Sequence, residues 1–358
     1  MILNAVLALS SPTDISEGLT SAPGSASSAA MDRWRAWDEF LEATPDTGFM
    51  QASWWADFRA GAGYGHFASI LKHQGAILGG ALVMKFSPTP LSCFYYIPDG
   101  PVLPGNESGA EEVFQALLEA IEAERKTETV TVSHLRIEPR WERLPPFLSG
   151  FRAVPALSDG YMEPRHTLCI DLRQSEAEIL AHMKPKGRYN VRVAQKHGVS
   201  VVEDNSERGL VDFLAIYAET AARQKMAAKP PDYFEALLST LSSAQKGSVF
   251  FAEYQGRRLA AAIVVYFARK ATYLFGASLA SDRQVMAPYL LHFEIMRRAR
   301  ARGYEWYDFW GIAPEDAPTH PWWDFSVFKR KFGGQEFNLV PTLDYIYDPA
   351  SYERYVAT

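Results

Sequence analysis

Cysteine is scarce: Cys93 and Cys169 are the only two in 358 residues and lie outside any CxxC spacing. That argues against a disulfide framework and against a cysteine-ligated structural zinc, and it fits a reducing cytoplasm. The eight histidines show neither HExxH nor another metal-ligand spacing, so no metal is expected. No segment approaches ~18 consecutive apolar residues, which leaves no candidate transmembrane helix. Residues 1–30 carry a short apolar run without a basic start, followed by Ser, Ala, Gly and Pro; they read as a flexible leader rather than a signal peptide, with Met31 as an alternative start. The net charge of −6 excludes a generic polyanion binder, so any nucleic-acid or membrane contact must come from a local basic patch. Acidic residues are missing from one place in particular, residues 179–202, where Lys184, Lys186, Arg188, Arg192 and Lys196 all fall.

What is present begins with length: 358 residues at 47% apolar content suffice for two cores of roughly 150 residues each. The chain also repeats itself. HQGAILGGALVMKF at 73–86 and YQGRRLAAAIVVYF at 254–267 share a Gln-Gly turn followed by an apolar strand. After each comes an aromatic strand, CFYYIPDGPVL or ATYLFGASLA, then an amphipathic helix, EEVFQALLEAIEAERK or APYLLHFEIMRRARARG, then a further strand, TVSHLRIEP or YEWYDFWGI. Hairpin, strand, helix, strand is the order of an acyltransferase half built around acetyl-CoA, so the expected fold is α/β (α+β) with two tandem GNAT-like domains. The expected divisions are the leader 1–30, a first domain over 31–162 plus 341–358, and a second over 163–340.

That fold places a glycine-rich turn at the start of the helix, where backbone N–H groups hold the coenzyme pyrophosphate. Here Met286, Ala287 and Pro288 stand there, and proline removes a donor, which disfavours coenzyme A. Residues 304–334, YEWYDFWGIAPEDAPTHPWWDFSVFKRKFGG, crowd tryptophans around Asp308, His320, Asp324, Lys329, Arg330 and Lys331. They read either as a packed core strand with solvated lysines or as a site. Lys184, Arg188, Arg192 and Lys196 recur every four residues, so a helix that starts at Pro185 would carry them as one cationic stripe, suited to phosphates or simply solvated.

Four stretches now matter together: FMQASWWADFR (49–59), YYIPDGPVL (95–103), MKPKGRYNVRVAQKHGV (183–199), and YDFWGIAP through FKRKFGG (307–334). On these the chain resembles the Fem-type aminoacyltransferases that build peptidoglycan interpeptide bridges, over nearly all of 49–345. The third stretch is the most specific. The resemblance implies transfer of an amino acid from aminoacyl-tRNA, a co-substrate rather than a cofactor, to an amine of the stem peptide. The acceptor would be UDP-MurNAc-pentapeptide or its lipid-linked form, the latter bringing a cytoplasmic enzyme to the inner membrane face. No room exists between 172 and 201 for the long helical arm of some members, so the chain is similar to the compact ones.

The resemblance also implies roles. Lys329 matches the lysine near the reacting ester, where a cation can stabilise the tetrahedral oxyanion. Arg59, at the end of a helix that Ser53 could cap, and Arg223 match the residues that engage the acceptor's phosphates; a surface ion pair and helix-dipole electrostatics are the plainer readings. Tyr96 and Asp99, with Tyr95, would line the acceptor groove. Lys184, Arg188, Arg192 and Lys196 would hold tRNA phosphates, and Phe328 would stack on the terminal adenosine or else pack in the core. Asp308 and Asp324 would orient a Lys or Arg, and no residue stands out as a general base. Two alternatives remain from the residues alone: a coenzyme A-dependent N-acyltransferase, and a non-catalytic RNA-binding or cell-wall assembly protein.

Overall fold

The computed structural model describes residues 28–154 and 163–357. The expected leader lies outside them except for residues 28–30, where the first helix begins. The chain divides into two compact units: residues up to Pro155 with Val340–Thr358, and Ala156–Leu339. The first runs α1 (Ser28–Ala43), α2 (Ser53–Gly61), β1 (Gly65–His73), β2 (Ala76–Thr89), β3 (Ser92–Pro98), α3 (Glu107–Arg125), β4 (Thr131–Glu138) and β5 (Phe151–Ala153). The second runs β6 (His166–Asp171), α4 (Glu176–His182), α5 (Pro185–Lys196), β7 (Ser200–Glu203), α6 (Glu207–Gln224), α7 (Pro231–Ser243) and β8 (Gly247–Tyr254). It continues with β9 (Arg257–Phe267), β10 (Lys270–Ser278), α8 (Ala287–Ala301), β11 (Trp306–Gly311), α9 (Trp323–Lys329) and β12 (Gln335–Asn338). The chain then returns to the first unit as β13 (Leu343–Ile346) and α10 (Pro349–Val356).

The sheets are ordered β1-β2-β3-β4-β13-β5 and β12-β6-β11-β10-β9-β8-β7. Each contains one parallel pair, β3 with β4 and β10 with β11, joined through a helix, α3 or α8. The duplicated order expected from the sequence is therefore present. Even the turns agree: Gln74-Gly75 and Gln255-Gly256 both have positive φ at the two central residues, the primed turn whose twist matches a two-residue hairpin. Helix α3 buries Ala110, Val113, Phe114, Leu117 and Ile121; Val113, Leu117 and Ile121 form one stripe that packs on Phe67, Val83, Tyr95 and Leu135 of the sheet, while Ala110 and Phe114 meet Phe147. Helix α8 does the same in the second unit with Leu291, Ile295, Met296 and Ala299.

A buried polar cluster fastens the returning segment. Asp344 on β13, fully buried, takes two hydrogen bonds of 2.8 Å from Arg136 on β4 and one of 2.9 Å from Tyr352 on α10. Arg136 also donates to the Tyr355 hydroxyl at 3.0 Å.

Two local expectations differ from the structure. Ser53 does not cap α2; it is the first helical residue, and its N–H and hydroxyl both donate to the carboxylate of Asp38 on α1, which supplies the acceptor instead. Tyr95 does not line a groove, because alternate strand residues face opposite sides. It points under α3, packs on Phe67 and donates to Glu128 at 2.9 Å. Both cysteines are buried, and neither forms a disulfide. Among the described residues no helix is long and apolar enough to cross a membrane.

Candidate functional site

The second unit builds its site on a flaw in a strand. Pairing of β11 with β6 slips between Asp308 and Gly311, and Trp310 adopts φ +61°, a left-handed conformation strained for a bulky residue. Asp308, 1% exposed, accepts a hydrogen bond from the N–H of Trp310 at 2.8 Å and another from the Thr167 hydroxyl. These hold the bulge, which directs the chain's next polar groups toward α9. Lys329 donates to the Gly311 carbonyl at 2.6 Å, Arg330 to the Ala313 carbonyl at 2.6 Å, and the Ala313 N–H to the Ser326 hydroxyl at 2.7 Å.

Lys329 is 6% exposed. Its Nζ lies over the rings of Phe325 (4.8 Å) and Tyr273 (5.6 Å). Burial pushes the amine down to about 7, against the opposing pull of the Asp308 carboxylate. Behind it His292 of α8 is buried, bonded through Nδ1 to the Tyr307 hydroxyl at 2.8 Å and set edge-on to Tyr273 at 4.5 Å. Burial, aided by the charge of Lys329, lowers His292 to about 3, so it stays neutral. Phe328, partly buried, packs on Tyr289, His292 and Phe332. Asp324 is exposed.

The basic helix adjoins this turn. The Lys184 N–H donates to the Lys331 carbonyl at 3.0 Å, and Gly187 lies so close that a Cβ there would sit 2.2 Å from the Lys331 oxygen. Helix α5 does start at Pro185. The four-residue stripe, however, is broken. Arg188 turns back and donates to the Ala181 and Met183 carbonyls at the end of α4, while Lys184, Arg192 and Lys196 remain exposed. Arg223, in the last turn of α6, donates to the Ser278 carbonyl at 2.7 Å and pairs with Glu219 at 3.3 Å.

In the first unit the Arg59 guanidinium stacks on Tyr64 at 4.1 Å and reaches Phe86 at 5.8 Å. Phe86 is edge-on to Tyr96, whose hydroxyl donates to Glu138 at 2.6 Å. Arg59 and Tyr96 thus share one aromatic face. Asp99 faces elsewhere. With φ +55° it packs against Gly48, accepts from Arg140 at 3.3 Å and lines a separate cavity of about 820 Å³ with Trp141 and Phe147.

The family model for FemAB matches residues 151–255 and 242–357. The chain belongs to the FemAB family. Among FemAB relatives, the Lipid II:glycine glycyltransferase of Staphylococcus epidermidis is 22% identical over 385 residues, covering 88% of this chain and 92% of that one. The UDP-N-acetylmuramoylpentapeptide-lysine N(6)-alanyltransferase of Weissella viridescens is 26% identical over 200 residues, 54% of this chain and 57% of that one. In fold, the crystal structure of FemX superposes with a TM-score of 0.80 at 20% identity, covering 90% of this chain and 98% of that one. A tandem GNAT protein from the clavulanic acid biosynthesis pathway gives 0.53 at 12% identity, covering 93% and 99%.

This FemAB chain contains site residues that sequence reasoning overlooked. His292 sits on the apolar face of α8 within LLHFEIM, and a lone polar residue on such a stripe was the available signal. Tyr273 reads as one more strand aromatic, and nothing local marks Trp310 as left-handed.

Proposed function

We propose that this protein is an aminoacyltransferase that takes an amino acid from aminoacyl-tRNA and joins it to a stem-peptide amine of a peptidoglycan precursor during interpeptide bridge formation. The observation that carries this reading is Lys329, a buried amine fixed by a bulge carbonyl, in a FemAB chain whose relatives are named as a lipid II glycyltransferase and a UDP-N-acetylmuramoylpentapeptide-lysine alanyltransferase. The acceptor amine attacks the ester carbonyl carbon, and the carbonyl electrons move to oxygen. Collapse of the tetrahedral adduct expels the ribose oxygen, which takes up a proton as the attacking nitrogen gives one up. An ammonium has three donors. One holds the Gly311 carbonyl, leaving two for the developing oxyanion, whose charge a fixed donor stabilises by a few kcal/mol. A donor whose pKa lies near neutrality is well matched to sharing that proton.

The acceptor's phosphates fall to Arg59 and Arg223, with Tyr96 in the acceptor region and Phe328 beside the tRNA terminus; Asp99, turned toward the cavity with Trp141 and Phe147, lies off the face that Arg59 and Tyr96 share. Lys184, Arg192 and Lys196 contact tRNA phosphates, and Arg188 holds α4 against α5. Coenzyme A is not the donor in this reading. Of the amides at the start of α8, those of Met286 and Tyr289 already donate to the Arg283 and Met286 carbonyls, and Pro288 has none. A lipid-linked acceptor would bring the protein to the inner membrane face. The test supplies UDP-MurNAc-pentapeptide with either a pool of charged tRNA or acetyl-CoA. Product should form only with charged tRNA and vanish after ribonuclease treatment; acetylated product would overturn the donor assignment.

A further inference from the structure

Helix α5 buries Gly187, Asn190, Val191 and Ala194 on one side. The opposite side carries Tyr189, Arg192 and Lys196 at i, i+3 and i+7, the spacing of one helical face. Tyr189 is 60% exposed, although a tyrosine gains from covering its ring. Lys186 reaches over that ring at 5.8 Å. Elsewhere in the unit many arginines are taken up by carboxylates: Arg173 by Asp171, Arg258 by Asp204, Arg269 by Glu305, Arg302 by Glu203, Arg330 by Glu336; Arg298 and Arg300 donate instead to the Val201 and Gln174 carbonyls. Among the described residues Lys184, Lys186, Arg192 and Lys196 pair with no carboxylate, and residues 179–202 contain none.

An uncovered aromatic ring among unpaired cations is the surface that single-stranded nucleic acid uses, stacking bases on the ring while the cations follow the phosphates. Charge complementarity therefore selects a polyanion, and the ring selects one with unpaired bases. Direction follows from the anchoring of α5. Its first turn is bonded to the Lys331 carbonyl, next to Lys329, so a strand lying along the helix approaches the reacting ester at the N-terminal end. From Tyr189 to Lys196 the helix rises roughly 10 Å at ~1.5 Å per residue, the reach of about three nucleotides at ~3.4 Å each.

We propose that Tyr189 is a stacking platform for an unpaired nucleotide in the 3′ segment of the RNA donor, with Arg192 and Lys196 gripping phosphates farther from the reacting end. This rests on the tRNA reading above. The test uses the full chain and two probes: an RNA hairpin with a four-nucleotide single-stranded 3′ tail, carrying 2-aminopurine in the tail, and the same hairpin cut blunt. Tyr189→Ala should weaken binding of the tailed hairpin by about 5- to 150-fold, the loss of one base–aromatic stack. It should also abolish quenching of the 2-aminopurine, leave the blunt hairpin unaffected and keep the salt dependence unchanged. Tyr189→Trp should retain tailed binding. Arg192→Gln with Lys196→Gln should weaken both hairpins and flatten the salt dependence.

If wild type binds RNA and Tyr189→Ala binds the tailed hairpin equally well, the stacking proposal is overturned and the tRNA reading stands. Wild type that binds neither hairpin overturns both. Loss of binding to anionic phospholipid vesicles, with RNA binding intact, would assign this face to a membrane surface and overturn the proposal.

Discussion

Lys329 lies where its charge is disfavoured, between aromatic rings and with a carbonyl and a nearby carboxylate as its electrostatic support. Replacing it with methionine keeps the length and removes the donor. Lys329→Met should lower kcat by roughly 10² or more with little change in acceptor KM, the pattern of an interaction made only in the transition state. Arg59→Met and Arg223→Met should instead raise acceptor KM more than they lower kcat, in variants first shown to unfold at the wild-type temperature. The pH profile is specific. With the protonated amine as the working form, kcat should fall as pH rises through about 7, where an ordinary lysine would hold its activity to near 10. A profile flat from pH 6 to 9 contradicts that role. Stability carries the opposite sign. The folded value lies below the unfolded one, so the penalty of the buried charge is complete below about 7 and fades as pH climbs toward 10.5. Lys329→Met should therefore gain most in stability relative to wild type below about pH 7. The gain should shrink by pH 9.5 in denaturant titrations.

At the scale of elements, α5 is locked to the turn after Lys329 by a close approach that only glycine permits. In Gly187→Ala the new methyl would meet the fixed Lys331 carbonyl, so stability should drop by about 1 to 3 kcal/mol and kcat should fall with it. Wild-type values for both would show that α5 does not support the catalytic turn. The Asp344–Arg136 pair makes a separate prediction for α10. Arg136→Met leaves a carboxylate buried without its cation and should cost about 3 to 5 kcal/mol, read from chemical unfolding. The order of elements was legible in the sequence because two Gln-Gly turns and two amphipathic helices repeat in the same succession. Pro185 marked the start of α5 because its fixed φ and missing N–H suit a first turn. What escaped was tertiary. Arg188 leaves its stripe for the end of α4, Asp38 replaces Ser53 as the acceptor at α2, and Tyr95 faces the core by strand alternation. The bulge at Asp308–Gly311 depends on hydrogen bonds from Thr167 and Trp310, and Thr167 is far away in sequence.

The whole chain repeats one supersecondary unit, and in the second repeat the seam between β10 and β11 has become the setting of a buried amine. The aromatic wall, the bulge and the basic helix all belong to that repeat, whereas the stacked Arg59 face belongs to the first. The most direct test is the mass of UDP-MurNAc-pentapeptide after incubation with the protein and charged tRNA. The account predicts a gain of one amino-acid residue, located by fragmentation on the stem-peptide amine. An unchanged mass across the full set of charged tRNAs, and for the lipid-linked precursor as well, would contradict it.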